Sequence, residues 1–533
     1  MISVVRIAFQ ISGLEESLEM GFFSVFLTLS ATCLVVFLLY VFLEKRRLNK
    51  LVGHLNKFPE HPFIGGIMAF IGKDPEEITK YAVKLLEEVE LPATVFVGPL
   101  KMIVFIDDPE DLEILLSDPN AMAKPYMYKF FKNDRGLVAA PVNIWRLHRK
   151  ILSPSFGLNV IKTLIPIFNQ KVQVMVSNLA KQVEGANINI LEHMYSCVLD
   201  LITTTLTDVD IDVQEGKNQD YLEAVKTASS VVATRVAKTI YHIDWIFNWS
   251  EMYRIQMKSL AKIHNFFDRI IKMKREMFDE VEDAEEERRE EQALLNNEEI
   301  EQKPKIVINQ LFRYWVKGQI GFRDVRGELD VMLYSASDTT TNLASYTLLM
   351  LAMHPEVQAK AIAELKEVFV NDNVSIDYNS VKQLQYLDMV IKETLRLYPV
   401  IPYIGREVSQ DVKLKNLTVP AGTAVGIPIL WINRNPKTWG PKAHLFNPDN
   451  FLPEKVAKRH PYQYLAFSGG PRNCIGMTYG LIAARTIVAC VLMNFRLSTT
   501  LKFDDIRMVF NITLRIINEN FIQLERRTDF FSH

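Results

Sequence analysis

The chain has 533 residues, with 61 Lys+Arg against 63 Asp+Glu and a formal charge of -2, so no global basicity marks a nucleic-acid partner. Hydrophobic residues make up 48%, enough for a large buried core and some membrane-facing surface besides. The four cysteines, Cys33, Cys197, Cys474 and Cys490, include no CxxC pair and no framework spacing; this argues against a secreted disulfide scaffold and, with no Cys/His cluster at ligand spacing, against structural zinc.

The first predicted element is a membrane-spanning helix. Gly21 to Leu43 are 23 consecutive uncharged residues, and about 20 apolar residues cross a bilayer. The run is longer than the core of a cleaved signal peptide, and no small-residue cleavage site follows it. Lys45, Arg46, Arg47 and Lys50 come directly after, whereas Glu15, Glu16 and Glu19 precede it with only Arg6 nearby. Positive-inside bias then predicts a cytosolic C-terminal bulk, and the acidic start argues against a mitochondrial presequence. Residues 1–50 read as anchor and basic stop, and 51–533 as one cytosolic domain. Pro59 to Gly66, with fixed proline angles and permissive glycines, predicts a hinge off the membrane. Asp279 to Glu291 is dense in Glu and reads as a solvated helix end or loop. Phe322 to His354 has apolar residues at helical spacing and is closed by Pro355, which predicts a helix about 50 Å long. Val381 to Leu397 predicts a second helix, ended by Pro399, and the β-branched and Gly/Pro pattern from Val408 to Leu430 predicts short strands and turns.

The stretch Phe467-Ser468-Gly469-Gly470-Pro471-Arg472-Asn473-Cys474-Ile475-Gly476 resembles the haem-binding loop FxxGxRxCxG of the cytochrome P-450 superfamily, with every fixed position present. The resemblance implies that Cys474 is the axial ligand of a haem iron, a thiolate that pushes electron density toward O–O cleavage. Gly470 and Gly476 are expected to let the backbone turn tightly beside the sulfur. Arg472 offers a fork-shaped cation for a haem propionate. An apolar, helical run follows Cys474, so a helix N-terminus is expected to stabilise the thiolate.

Further signatures follow the family's order. Trp145 and Arg149 form WxxxR, one helix face, and Arg406 follows Pro402 and Gly405; in the family all three approach a propionate. Glu393 and Arg396 form ExxR, an ion pair that is structural in the family. Within Tyr334 to Thr341, a Ser/Thr-rich run that interrupts the long helix pattern, Asp338 and Thr339 match the acid-alcohol pair that relays protons to iron-bound oxygen. Two departures stand out: Ser335-Ala336 replaces the common Ala-Gly, and Asn450 replaces the Arg that completes a triad with Glu393 and Arg396 in many relatives. Surrounding phrases resemble the microsomal fatty-acid ω-hydroxylase clan, particularly its insect members; many ω-hydroxylase relatives carry at the Ser335 position a glutamate esterified to a haem methyl.

The resemblance implies a mainly α fold with small β-sheets behind one transmembrane helix, and haem b held non-covalently apart from the Fe–S bond. It implies a monooxygenase acting with O₂ on an apolar small molecule at the endoplasmic reticulum membrane. No Walker loop or dinucleotide fingerprint is present, so electrons are expected from an NADPH-dependent reductase, with cytochrome b5 as a further donor. Lys455, Lys458 and Arg459 are expected on the face where that reductase docks. Two rivals stay open, a haem-thiolate isomerase or dehydratase acting on a lipid peroxide and a haem sensor or carrier. Segments Pro125 to Val138 and Leu201 to Ile246 are expected to line the pocket, with no polar group to identify the substrate.

Overall fold

The computed structural model describes residues 2–61, 65–98, 101–182, 190–296, 305–370, 376–415, 417–518 and 522–530. The N-terminal helix Ile2–Val52 runs unbroken through the uncharged segment and the basic stop. Its part Phe23–Val52 contains an 18-residue window of mean hydropathy 2.5 and is long and apolar enough to cross a membrane. Every side chain from Phe23 to Tyr40 is exposed, the surface that a lipid-facing helix presents. The last turns behave differently: Leu48 and Val52 are buried, and the Lys45 ammonium stands 4.7 Å over the Phe96 ring.

The chain therefore leaves the helix at Gly53, docked on the body, and not at the expected hinge. Residues 59–61 and 65–66 are instead tied to a sheet. The Glu60 carboxylate accepts the Phe96 N–H at 2.8 Å, and Gly65 bridges both His61 and Val97. Residues 62–64 of that expectation lie outside the described part.

The strands are short: β1 (Asn56–Lys57), β2 (Ala93–Val97), β3 (Lys101–Phe105), β4 (Ile404–Glu407), β5 (Val412–Lys413), β6 (Thr418–Val419), β7 (Ala424–Ile427), β8 (Phe495–Ser498), β9 (Met508–Phe510), β10 (Leu514–Ile516) and β11 (Gln523–Arg526). Five of them form one sheet in the order β1-β2-β3-β7-β4, and the rest pair as β5–β6, β8–β11 and β9–β10. The parallel β3–β7 pair brings the N-terminal strands onto the segment around Arg406. One sheet face buries Phe96, Val104, Val425 and Ile427 together with Leu48 and Val52. The strand pattern read to Leu430 stops at Ile427; Ile429–Ile432 is one helical turn.

Helices supply the larger core. The long helix Phe322–Met353 ends where Pro355 opens the next helix, Pro355–Val368. Its Ser/Thr-rich middle does not interrupt it, because Thr339 and Thr347 bond their hydroxyls to carbonyls one turn back and burial outweighs the weak local propensity. The helix expected over Val381 to Leu397 is two, Tyr378–Gln383 and Gln385–Leu397. The second is capped from outside, since the Glu364 carboxylate accepts the N–H groups of Tyr386 and Leu387 at 2.6 and 2.9 Å. The acidic run lies on a helix, Glu280–Asn296, docked through Asp283 on Arg313 and Glu287 on Lys317.

Candidate active site

The Cys474 loop folds back on itself. Phe467 O accepts the Cys474 N–H at 3.0 Å, and Gly470 O accepts that of Asn473 at 3.2 Å. Gly470 has φ +68, and a Cβ there would stand 2.0 Å from Leu116 O, so only glycine fits both the turn and the approach. Gly476 differs from the expectation. Its φ is -91 as the N-cap of the helix Met477–Asn494, and a Cβ would meet nothing within 4 Å. Glycine is therefore not needed there for the turn.

Cys474 is accessible, whereas Cys197 and Cys490 are buried, where desolvation pushes the Cys490 thiol up to about 12. The protein around Cys474 is close enough that burial also raises its thiol, against a Gly476 N–H bond and the Arg149 charge that lower it. The helix N-terminus alone therefore does not make the thiolate, because desolvation outweighs it. A sulfur kept accessible within a raised-pKa setting suits a metal that displaces the proton. The long helix, packed on the helix after Cys474, has a matching patch: Tyr334, Ser335, Ala336 and Thr339 are part-exposed in a stretch otherwise buried.

Arg406 and Arg472 are 1% and 7% exposed. Arg406 donates to Gly405 O at 3.1 Å and to Ser468 Oγ at 3.4 Å. Arg472 donates to Met122 O and to Ala140 O, with its Nε buried and unpartnered. Trp145 lies under this guanidinium, 5.1 Å from it. A third cation converges on the two arginines. Burial, and then the charges of Arg406 and Arg472, hold the Lys124 ammonium well below its ordinary value; burial and Arg406 likewise draw Arg472 down to about 10. Lys124 stands 4.8 Å over the Tyr128 ring. None of the three cations has an acidic partner within ion-pair distance among the described residues. Buried like charges without a counter-charge are costly, and two carboxylates would relieve them. The donor set thus fits a haem: Lys124, Arg406 and Arg472 are cations that would take its propionates, and Cys474 a sulfur that would take its iron. Sequence reading missed Lys124, which carries no local signal to distinguish it from a loop residue, and took Tyr128 only as part of the expected pocket segment Pro125 to Val138.

Arg149 goes elsewhere. Its Nη1 and Nη2 donate to O and Oδ1 of Asn473 at 2.9 and 2.8 Å, clamping the residue next to Cys474. Asp338 and Thr339 are neighbours with different partners. Thr339 Oγ1 donates to Ser335 O at 2.7 Å. Asp338 Oδ2 accepts from Thr513 Oγ1 at 2.5 Å and Oδ1 from Arg515 Nη2 at 2.9 Å, two more residues that no sequence signal singled out.

Glu393 and Arg396 are fully buried and joined by two bonds of 2.7 Å. Arg396 also donates to the carbonyls of Asn433, Ala443 and Leu445. Asn450 still completes the triad, donating its amide to Glu393 Oε1 at 3.1 Å. The cation absent from position 450 comes from Arg459, which donates to Asn450 O at 2.6 Å, stacks 4.0 Å over Trp439 and feels the Glu393 charge. Arg459 is therefore packed inward, unlike the exposed Lys455 and Lys458.

The family model for cytochrome P450 matches residues 56–519. The chain is 29% identical over 468 residues to cytochrome P450 4c21 of Blattella germanica, covering 87% of this chain and 90% of the relative. It is 30% identical over 502 residues to cytochrome P450 4d2 of Drosophila melanogaster, with coverages of 92% and 97%. To human cytochrome P450 4V2 it is 29% identical over 474 residues, 88% of each.

Proposed function

The chain belongs to the cytochrome P450 family, haem-thiolate oxidoreductases of the monooxygenase type, and on that premise we propose a membrane-bound enzyme that inserts one atom of O₂ into an apolar small molecule. The substrate is a fatty acid, a hormone-like lipid or a xenobiotic, and electrons come from a separate NADPH-dependent reductase, with cytochrome b5 as a second donor. Residues 1–50 hold the domain 51–533 on the cytosolic side of the endoplasmic reticulum. The observation that carries the reading is the accessible Cys474 in a structure that also gathers two buried arginines and the half-buried Lys124 with no acidic partner among the described residues.

Haem, when bound, supplies the electron-transfer and O₂ chemistry. Cys474 Sγ would hold the iron; Lys124, Arg406 and Arg472 would hold the carboxylates, with Trp145 supporting Arg472. Arg149 keeps the cysteine loop in register through Asn473. Thr339 keeps its own hydrogen on Ser335 O, which leaves the Oγ1 lone pairs to accept a proton-bearing group. Asp338, a carboxylate held by Thr513 and Arg515, would take a proton from solvent water and pass it on through a water whose hydrogen bond Thr339 Oγ1 accepts, returning to the carboxylate.

Two experiments test the reading. The ferrous-CO protein should show the strongly red-shifted Soret band of thiolate ligation, and Cys474→His should abolish it; a mutant that keeps the band would assign ligation to another cysteine. Reconstitution with reductase over a panel of lipids, hormones and xenobiotics should give NADPH-dependent oxygenated product. NADPH-independent turnover of a hydroperoxide would favour the isomerase reading, and ligand-dependent partner binding without product the sensor reading.

A further inference from the structure

Three side chains on one face of the helix Val142–Leu152 reach three different parts of the fold. Trp145 supports Arg472, and Arg149 clamps Asn473, as described above. Between them His148, which the mechanism does not use, meets Glu328 of the long helix, Nδ1 to Oε1, at 2.6 Å; the two side chains are 2% and 0% exposed. One turn earlier Asp324 Oδ1 lies 3.6 Å from His148 Nε2 and 3.2 Å from Arg135 Nη1.

The surroundings are interlocked. The second Glu328 oxygen accepts the Leu137 N–H at 3.2 Å, and Asn133 Nδ2 donates to Gly327 O at 2.8 Å. A Cβ on Gly327 would stand 2.7 Å from the Arg135 Cβ. The loop 133–137, the long helix that carries Thr339, and the helix that clamps the Cys474 loop thus meet at one buried imidazole. Removing one partner of such a buried pair leaves an uncompensated charge, so its geometry is held tightly.

We propose that His148 is a positioning residue for the oxygenation chemistry: by bonding Glu328 while Arg149 holds Asn473, it sets the long helix, and Thr339 with it, against the Cys474 loop. This rests on the monooxygenase reading above. The groups that face His148 are Glu328 and Asp324 from the long helix and Arg135 from the loop. The helix Val307–Val316, also packed on Val142–Leu152, turns its buried Arg313 to Asp283. Burial disfavours the charged ring, but Glu328 and then Asp324 outweigh it and hold His148 above its ordinary 6.5; burial holds Glu328 above its ordinary value even so. A raised histidine contributes fully below 6.5 and loses its contribution as pH rises through the folded value. The pair should therefore loosen on the alkaline side.

The test follows the ferrous-CO band of the full-length holoenzyme from pH 6 to 10 in wild type, His148→Gln, Glu328→Gln and the double variant. In wild type the red-shifted band should decline through a step above pH 6.5. In Glu328→Gln the step should move to lower pH, since burial then meets less opposition. In His148→Gln the step should vanish with the band weaker throughout, and the double variant, able to form an amide–amide bond, should regain at least half of either loss at pH 7. Hydrogen exchange of the wild-type long helix, which needs no variant to fold, should quicken about threefold or more between pH 7 and 9 beyond the intrinsic pH effect. A step at the same pH in Glu328→Gln, a double variant no better than the worse single one, or unchanged exchange would each overturn the proposal. Absence of the red-shifted band from wild type at every pH would instead overturn the haem-thiolate reading on which it rests.

Discussion

Thr339 and Ser335 share one hydrogen bond and make separate demands on the chemistry. The Thr339 hydroxyl reaches back to Ser335 O and so holds its oxygen at a set place on the part-exposed face of the long helix. Thr339→Val keeps the shape but removes that oxygen. With a true substrate, NADPH consumption should continue while product falls about a hundredfold or more, the range of a lost acid–base relay group, and the electrons should appear as peroxide; unchanged coupling would remove Thr339 from the relay. Ser335 has no carboxylate with which to form an ester. Acidified organic solvent should extract all the cofactor as unmodified haem b, and Ser335→Glu should permit covalent retention after turnover. Haem left on the denatured wild-type chain would point to an attachment residue other than 335.

Between the ExxR helix Gln385–Leu397 and the Cys474 loop, the segment 447–464 brings together groups that look alike in sequence and differ in the fold. Lys455 and Lys458 are exposed, while Arg459 lies against Trp439 and Phe451 and bonds the backbone beside Glu393. Arg459→Ala removes a cation–π stack and a charge-assisted bond, a loss of about 1–3 kcal/mol, and should lower the melting temperature. Lys455→Ala with Lys458→Ala should leave melting nearly unchanged but slow reduction by the reductase at low salt, where steering is least screened. Equal reduction rates across ionic strength would assign those lysines to a solvated face only.

At the level of the whole molecule, the anchor and the catalytic body form one docked unit. The helix that would cross the membrane ends with Leu48 and Val52 in the sheet core, so the body is mounted on the helix and does not swing from a hinge. The proposed cytosolic orientation rests on the basic residues after the uncharged run. Protease added to sealed microsomes should digest it. The sequons at Asn248 and Asn511, and those at Asn373 and Asn416 outside the described residues, should all stay unglycosylated. A glycan on any of them would reverse the orientation.

What the sequence by itself determined is local in origin. The uncharged run, the long helix, the ExxR pair three residues apart and the cysteine loop were all legible, because hydropathy, helical spacing and a glycine at positive φ act within a few residues. Where local chemistry met burial, the expectation changed: the Ser/Thr run stayed helical, the turn assigned to Gly476 became open space, and desolvation raised the thiol that a helix terminus was expected to lower. Tertiary structure alone decided the rest. Lys124 converges on arginines far along the chain, Asp338 finds Thr513 at a separation of 175 residues, His148 finds Glu328 at 180, and Arg459 turns inward to the triad. Each of these is a buried or half-buried polar or charged group, and such a group must find a partner wherever the fold brings one within reach, which is a property of the assembled core and not of any short stretch of residues.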